Sequence, residues 1–167
     1  MNNHNQTKFK PHREQGIGLI EILVVASIIS IALASLAGLG NFALKIQTRL
    51  KQNAVAASLA SEALEATRSI RDGNWSDLTY FAVDTPFHPI KKPNFYQWTL
   101  AGGEETINGF RRQLTVSNVY RDGNFDITQS GGTLDAGTKK ITATVSWNNN
   151  GQNLQITLVN YLTDWKP

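Results

Sequence analysis

A single carboxylate stands inside the longest apolar run of the chain. From Ile17 to Leu44 the sequence reads IGLIEILVVASIISIALASLAGLGNFAL, and Glu21 is its only charged side chain. A carboxylate at the centre of a membrane-spanning helix costs on the order of 2.5–3.5 kcal/mol, so Glu21 calls for a partner or for a hydrated place near the headgroups. Other reactive side chains are sparse. Cysteine is absent, which removes thiolate nucleophiles and cysteine-based zinc sites. His4 and His12 fall in the polar first 16 residues, and His88, beside Pro89, reads as a loop residue. Glu104-Glu105 follows Gly102-Gly103 and reads as a turn, not as a general acid–base pair. Asp122, Asp126 and Asp135 fit no calcium-loop spacing. These residues assemble neither a nucleophilic triad nor a metal-hydrolysis set, so no enzyme activity, metal or cofactor is expected.

The elements that must position Glu21 follow from the hydrophobic pattern. A length of 167 residues suits one modest domain plus an additional long element. The opening MNNHNQTKFKPHREQG is polar, Pro-interrupted and mildly basic, and reads as a leader over residues 1–16. The run 17–44 exceeds the roughly 30 Å hydrocarbon core at a helical rise of about 1.5 Å per residue, and it outlasts the ~7–15 apolar residues of an ordinary secretory signal. It therefore reads as a transmembrane helix. Basic residues flank it on both sides, Lys8, Lys10 and Arg13 before and Lys45, Arg49 and Lys51 after, so the positive-inside rule gives little bias.

Over residues 45–72 the helix continues in amphipathic form, with Val55, Leu59, Ala63, Ala66 and Ile70 at helical spacing. Asp72-Gly73-Asn74 predicts its end, with glycine as a left-handed cap. Gly38 and Gly40 mark its weakest point, since each glycine costs about 1 kcal/mol relative to alanine. From residue 73 to 167 the composition turns to Thr, Asn, Gly and aromatics with a period of two, which predicts an antiparallel β domain. Pro86, Pro89 and Pro93 predict a loop over 84–94. Strands are expected at Phe95–Ala101, Phe110–Tyr120, Lys140–Trp147 and Asn153–Leu162. The last two should form a hairpin through Asn148-Asn149-Asn150-Gly151. The apolar face of this sheet needs a cover, and the amphipathic half of the helix is the available one.

The formal net charge is +3, but two of these charges come from the leader, and no basic stripe remains to follow a phosphate backbone. Lys91-Lys92, Arg111-Arg112 and Lys139-Lys140 read as solvated surface pairs, and nucleic acid is not an expected partner. Arg71-Asp72-Gly73-Asn74-Trp75 and Arg121-Asp122-Gly123-Asn124-Phe125 are similar by shared turn chemistry, not by architectural repetition.

With Gly16, then Ile17-Gly18-Leu19-Ile20-Glu21 and Ile22-Leu23-Val24-Val25, the sequence resembles the class III signal of type IV prepilins and type II secretion pseudopilins. These carry a short basic leader ending in glycine, an apolar first residue and glutamate at the fifth mature position. Three departures stand out: Ile17 replaces the usual phenylalanine or methionine, Gly18 replaces the common threonine, and Gly38 and Gly40 stand where the family often has a helix proline. The resemblance implies an α+β pilin-like fold, a long N-terminal helix packed on a small C-terminal antiparallel sheet. It implies cleavage between Gly16 and Ile17 by a prepilin peptidase, N-methylation of Ile17, and pairing of Glu21 with the terminal amine of a neighbouring subunit. Leu19, Ile22, Val25 and Ile29 would pack between helices, and Gly38 and Gly40 would loosen the helix.

The expected function is structural: a subunit, minor by its aromatic and Thr-rich sheet, of a type IV pilus or a type II secretion pseudopilus. Expected partners are prepilin peptidase, other pilin or pseudopilin subunits, and an assembly platform protein with its ATPase. The expected location is the inner membrane, single-pass with the C-terminal domain extracytoplasmic, and then the filament. The rival expectation is a membrane-anchored binding module for a glycan or DNA, which exposed Trp98, Trp147 or Trp165 would favour.

Overall fold

The computed structural model describes residues 18–93 and 97–165. Its dominant element is α1, an unbroken helix over Leu19–Gly73. The chain divides into two compact units, one through Gln47 and one from Thr48. In the first, every described side chain is exposed. This helix is long and apolar enough to cross a membrane; its stretch from Leu19 to Leu44 rises about 39 Å.

The second unit is helix on sheet, the α+β arrangement expected. After α1 come, among the described residues, the short helix α2 (Trp75–Thr79) and seven strands: β1 (Phe87–Lys91), β2 (Trp98–Gly102), β3 (Glu105–Ile107), β4 (Phe110–Arg121), β5 (Ile127–Thr128), β6 (Thr133–Asn149) and β7 (Gln152–Thr163). They form one sheet in the order β2-β1-β4-β6-β7, with β3 and β5 also paired to β4, and every pairing is antiparallel. The β6–β7 hairpin closes on Asn150 and Gly151, both at positive φ (50° and 84°), the two-residue turn that Asn-Gly favours. The register of β4 against β6 shifts between Asn118 and Val119, so β6 begins seven residues before the predicted Lys140. Gly132, at φ +87°, is required by space as well: a Cβ there would lie 2.5 Å from the Arg121 carbonyl oxygen.

The core lies between α1 and the sheet. Ala56, Ala60, Ala63, Leu64 and Ile70 meet Phe87, Leu114, Val116, Ile141, Ala143, Val145 and Trp147. On the helix side the fully buried residues at 56, 60 and 63 are small, while the sheet supplies the bulk. The predicted stripe is correct at Ala63, Ala66 and Ile70, and Leu59 packs at its margin, but Val55 is exposed and Ala56 takes the buried place. Three polar pins reinforce the apolar contact. Trp147 Nε1 donates to Gln52 Oε1 at 3.3 Å, Arg112 Nη1 to the Leu59 carbonyl at 3.1 Å, and Arg71 Nη1 to the Thr163 carbonyl at 3.3 Å.

Several local expectations need correction. Residues 87–91 form a strand, with His88 on it and not in a loop. Pro89 is tolerated because its missing N–H lies on the side away from β2. Lys92 N–H donates to Gln97 and Gly103 N–H to Pro86, which turns even-numbered residues of β1 toward β2. On the opposite side β1 pairs with β4 at Phe87 alone. The helix α1 ends within the expected Asp72-Gly73-Asn74 segment, but by another mechanism. Gly73 is not left-handed; Asn74, extended at φ −157°, ends the helix and caps α2 by accepting from Ser76 N–H. Of the predicted strand 95–101, residues 95 and 96 lie outside the described residues.

Candidate assembly site

Glu21 lies in the first turn of α1, where its own N–H donates to the Gly18 carbonyl at 2.9 Å. The unpaired N–H groups and the positive end of the helix dipole at this terminus favour a negative side chain. The carboxylate is exposed and borders a shallow apolar recess lined by Ile22, Val25, Ala26 and Ile29. Of the four residues expected to pack between helices, Leu19 is 77% exposed and Ile22, Val25 and Ile29 are 50–60% exposed. A surface this apolar on a helix without a partner marks contact with lipid or with other helices. Gly16 and Ile17, the expected cleavage and methylation positions, lie outside the described residues. Gly38 and Gly40 sit within unbroken helix, and no neighbouring atom lies within 4 Å of where their side chains would begin.

Serines supply a feature that sequence reading passed over. Ser27, Ser30 and Ser35 each turn the hydroxyl back onto a carbonyl three or four residues earlier, at 2.7–2.9 Å. Their polar atoms are thereby satisfied within the helix, as a hydrocarbon environment requires. The signal was available: serine in an apolar helix always has the carbonyl of residue i−4 in reach.

The remaining candidates are occupied in the fold. Asp135 forms a 2.6 Å ion pair with Arg121 and accepts from Gly137 N–H. The hydrogen bond from Arg121 is the main cause holding the Asp135 carboxyl below the ordinary carboxylate range. Asp122 Oδ1 accepts from the N–H groups of Asn124 and Asp126, closing a turn. Among the described residues no three potential ligands gather as a metal site. Arg112, read as solvated, is 3% exposed: it donates to Glu105 at 2.7–2.8 Å and lies 3.5 Å from Glu62 on α1. The alternation that places Leu114 and Val116 inward also places Arg112 inward, and that period was the missed signal. Trp147 is buried and Trp98 packs against the core beneath the Lys91 ammonium, 5.0 Å from its ring. Trp165 is the exposed indole, its Nε1 donating to Asp72 at 3.2 Å.

Residues 11–37 match the family model of the prokaryotic N-terminal methylation motif. No curated protein and no solved structure matches the chain. The match spans the end of the leader, Glu21 and the first half of the apolar run, and it supports the class III signal read from Gly16 and Glu21. The motif supports a type IV pilin- or pseudopilin-like protein, and the apolar helix that follows it fits a membrane anchor.

Proposed function

We propose that this chain is a minor structural subunit of a type IV pilus or type II secretion pseudopilus. Prepilin peptidase would remove residues 1–16, leaving the amine of Ile17 to be N-methylated. In the membrane and in the filament the domains would divide as anchor over 17–44, amphipathic continuation over 45–72 and β domain over 73–167, the last on the extracytoplasmic side of the inner membrane. The platform protein and its ATPase would drive incorporation.

The observation that carries this reading is the coincidence of the methylation motif with Glu21 in the first turn of an exposed apolar helix. In an assembled bundle of such helices, a carboxylate from one subunit offsets the cationic amine of the next, and neither charge is buried alone. The apolar recess beside Glu21 suits a neighbour's aliphatic side chain, and burial of Leu19, Ile22, Val25 and Ile29 would provide affinity of about 25 cal/mol per Å².

The test follows processing and assembly separately. Intact mass after co-expression with a prepilin peptidase should correspond to a chain starting at Ile17; a chain retaining residues 1–16 would refute the cleavage. Glu21→Gln should be trimmed normally yet enter sheared filaments at least about a hundredfold less, since removing one partner of a buried pair costs about 3–5 kcal/mol. Normal incorporation of Glu21→Gln would make Glu21 a hydrated headgroup residue and favour the signal-anchor reading.

A further inference from the structure

The two ends of the sheet share a property that its interior strands lack. Along the path β2-β1-β4-β6-β7, β1 carries Lys91, β4 carries Arg111, Arg112 and Arg121, and β6 carries Asp135, Lys139 and Lys140. The terminal strands, WTLAG and QNLQITLVNYLT, carry no charge at all. Exposed edges are normally guarded by charges, proline or bulges, because their open N–H and C=O groups template further pairing. β7 has none of these over 12 residues, and its register with β6 is regular throughout.

The direction of each open group follows from the hydrogen bonds. The two-residue turn pairs Asn149 with Gln152, and Asp164 N–H donates to Gly137, so even-numbered residues of β7 face β6. Asn153, Gln155, Thr157, Val159 and Tyr161 therefore turn their backbone groups off the edge. The bonds that orient β1 also leave Trp98, Leu100 and Gly102 with backbone groups pointing off β2. Ile156 and Leu158 on β7, and Trp98 and Leu100 on β2, are half-buried against the same helix-covered core.

We propose that β7 of one copy of this chain pairs with β2 of the next, so that the sheet continues head to tail between subunits. Four antiparallel pairings separate β2 from β7, so both run in the same direction and the joint is a parallel pair between copies in the same orientation. Antiparallel β7–β7 pairing would turn one copy through half a turn in the sheet plane and reverse its 48–73 helix segment relative to its partner's. The head-to-tail joint instead keeps neighbouring copies in one orientation and sets the apolar residues of β2 against those of β7. Such a contact does not close on itself and suits an open array. With Thr157 beside Thr99, Ile156 meets Trp98 and Leu158 meets Leu100, extending the apolar layer without bringing like charges together. Five paired residues make a small interface, so the contact depends on copies concentrated in one membrane or filament. It rests on the assembly reading for that concentration, and not on Glu21.

The natural chain has no cysteine, which permits a clean crosslinking test. Full-length Thr157→Cys and Thr99→Cys chains with different tags are co-expressed in membranes and mildly oxidised. Opposed Cα atoms of paired strands fall within disulfide range. The expected product is a dimer carrying both tags, absent when either chain is expressed alone. Adding Val159→Pro to the Thr157→Cys chain removes an N–H that points off the edge, keeps the ladder to β6, and should abolish the dimer; Val159→Lys should do the same by charge. A dimer from Thr157→Cys alone means two-fold pairing and overturns the proposal, as does no dimer in the mixture or one unaffected by both Val159 variants. Leader removal and filament entry of Glu21→Gln are read in a separate assay, so failure of the charge-pair reading and failure of this one are told apart.

Discussion

The helix from Leu19 to Gln47 and the unit from Thr48 to Trp165 solve the same problem in opposite ways. The first satisfies its polar atoms internally, down to the serine hydroxyls, and leaves every described apolar side chain exposed. The second buries its apolar side chains between helix and sheet, and among its described residues no buried side-chain polar atom lacks a partner. One is built for a hydrocarbon or helical surround, the other for water, and a single helix sequence passes between them by changing which side chains it exposes.

The strongest way to break this comparison is to remove the cover. A chain beginning after Gly73 exposes Phe87, Leu114, Ile141, Val145 and Trp147 and should aggregate with no cooperative unfolding, whereas one beginning at Thr48 should be soluble and unfold in a single transition. Circular dichroism melts and gel filtration of the two pieces distinguish them; a cooperative transition in the shorter piece would show that the helix is dispensable. Next in size, Arg112→Ala leaves Glu105 and the Leu59 carbonyl without their donor in a buried setting and should cost about 2–3 kcal/mol in urea unfolding of the Thr48–Pro167 piece. Arg111→Ala, one residue away and exposed, should change stability by less than about 0.5 kcal/mol. Ala60→Leu, which adds bulk at a fully buried position, should cost about 1–3 kcal/mol, while Leu36→Ala in the full-length chain should leave the melt of the helix-on-sheet unit unaltered.

The smallest effect is that of Asp135. Its carboxyl titrates lower in the folded state than in the unfolded chain, so the unfolded state binds the proton first on acidification. The stabilisation is complete above about pH 4, the ordinary aspartate range, and is lost as pH falls through the lower folded value. Wild type should exceed Asp135→Asn by less than about 1 kcal/mol at pH 6, and the difference should shrink toward pH 2. A difference that is constant with pH would assign the role of Asp135 to geometry instead of charge.

How legible these features were in sequence depended on whether one local signal decided them. The long apolar run, the Glu21 motif and the Asn150-Gly151 hairpin each carry their own periodicity or turn chemistry, and each was placed correctly. β1 was hidden because Pro89 argues against a strand unless the side on which its missing N–H falls is known, and that depends on pairing with β2. Arg112 was hidden by charge: its neighbour Arg111 is solvated, and only the partners at Glu105, Glu62 and Leu59, brought by other elements, make the inward guanidinium tolerable. Ala56 and not Val55 takes the buried place because a helical period fixes a stripe only to within about a residue, and the packing against the sheet decides its centre.

The three polar pins between α1 and the sheet have a mechanical consequence. Gln52, Leu59 and Arg71 span 19 residue steps of straight helix, about 28 Å, and each ties to a different part of the sheet: the end of β6, β4 and the end of β7. Tension along the helix axis loads all three in shear at once, together with the interlocked alanine face, so no pin can fail while its neighbours stay slack. A force lifting the helix away from one end would open them in succession at far lower load. The joint is therefore stiff in the axial direction and weak to peeling.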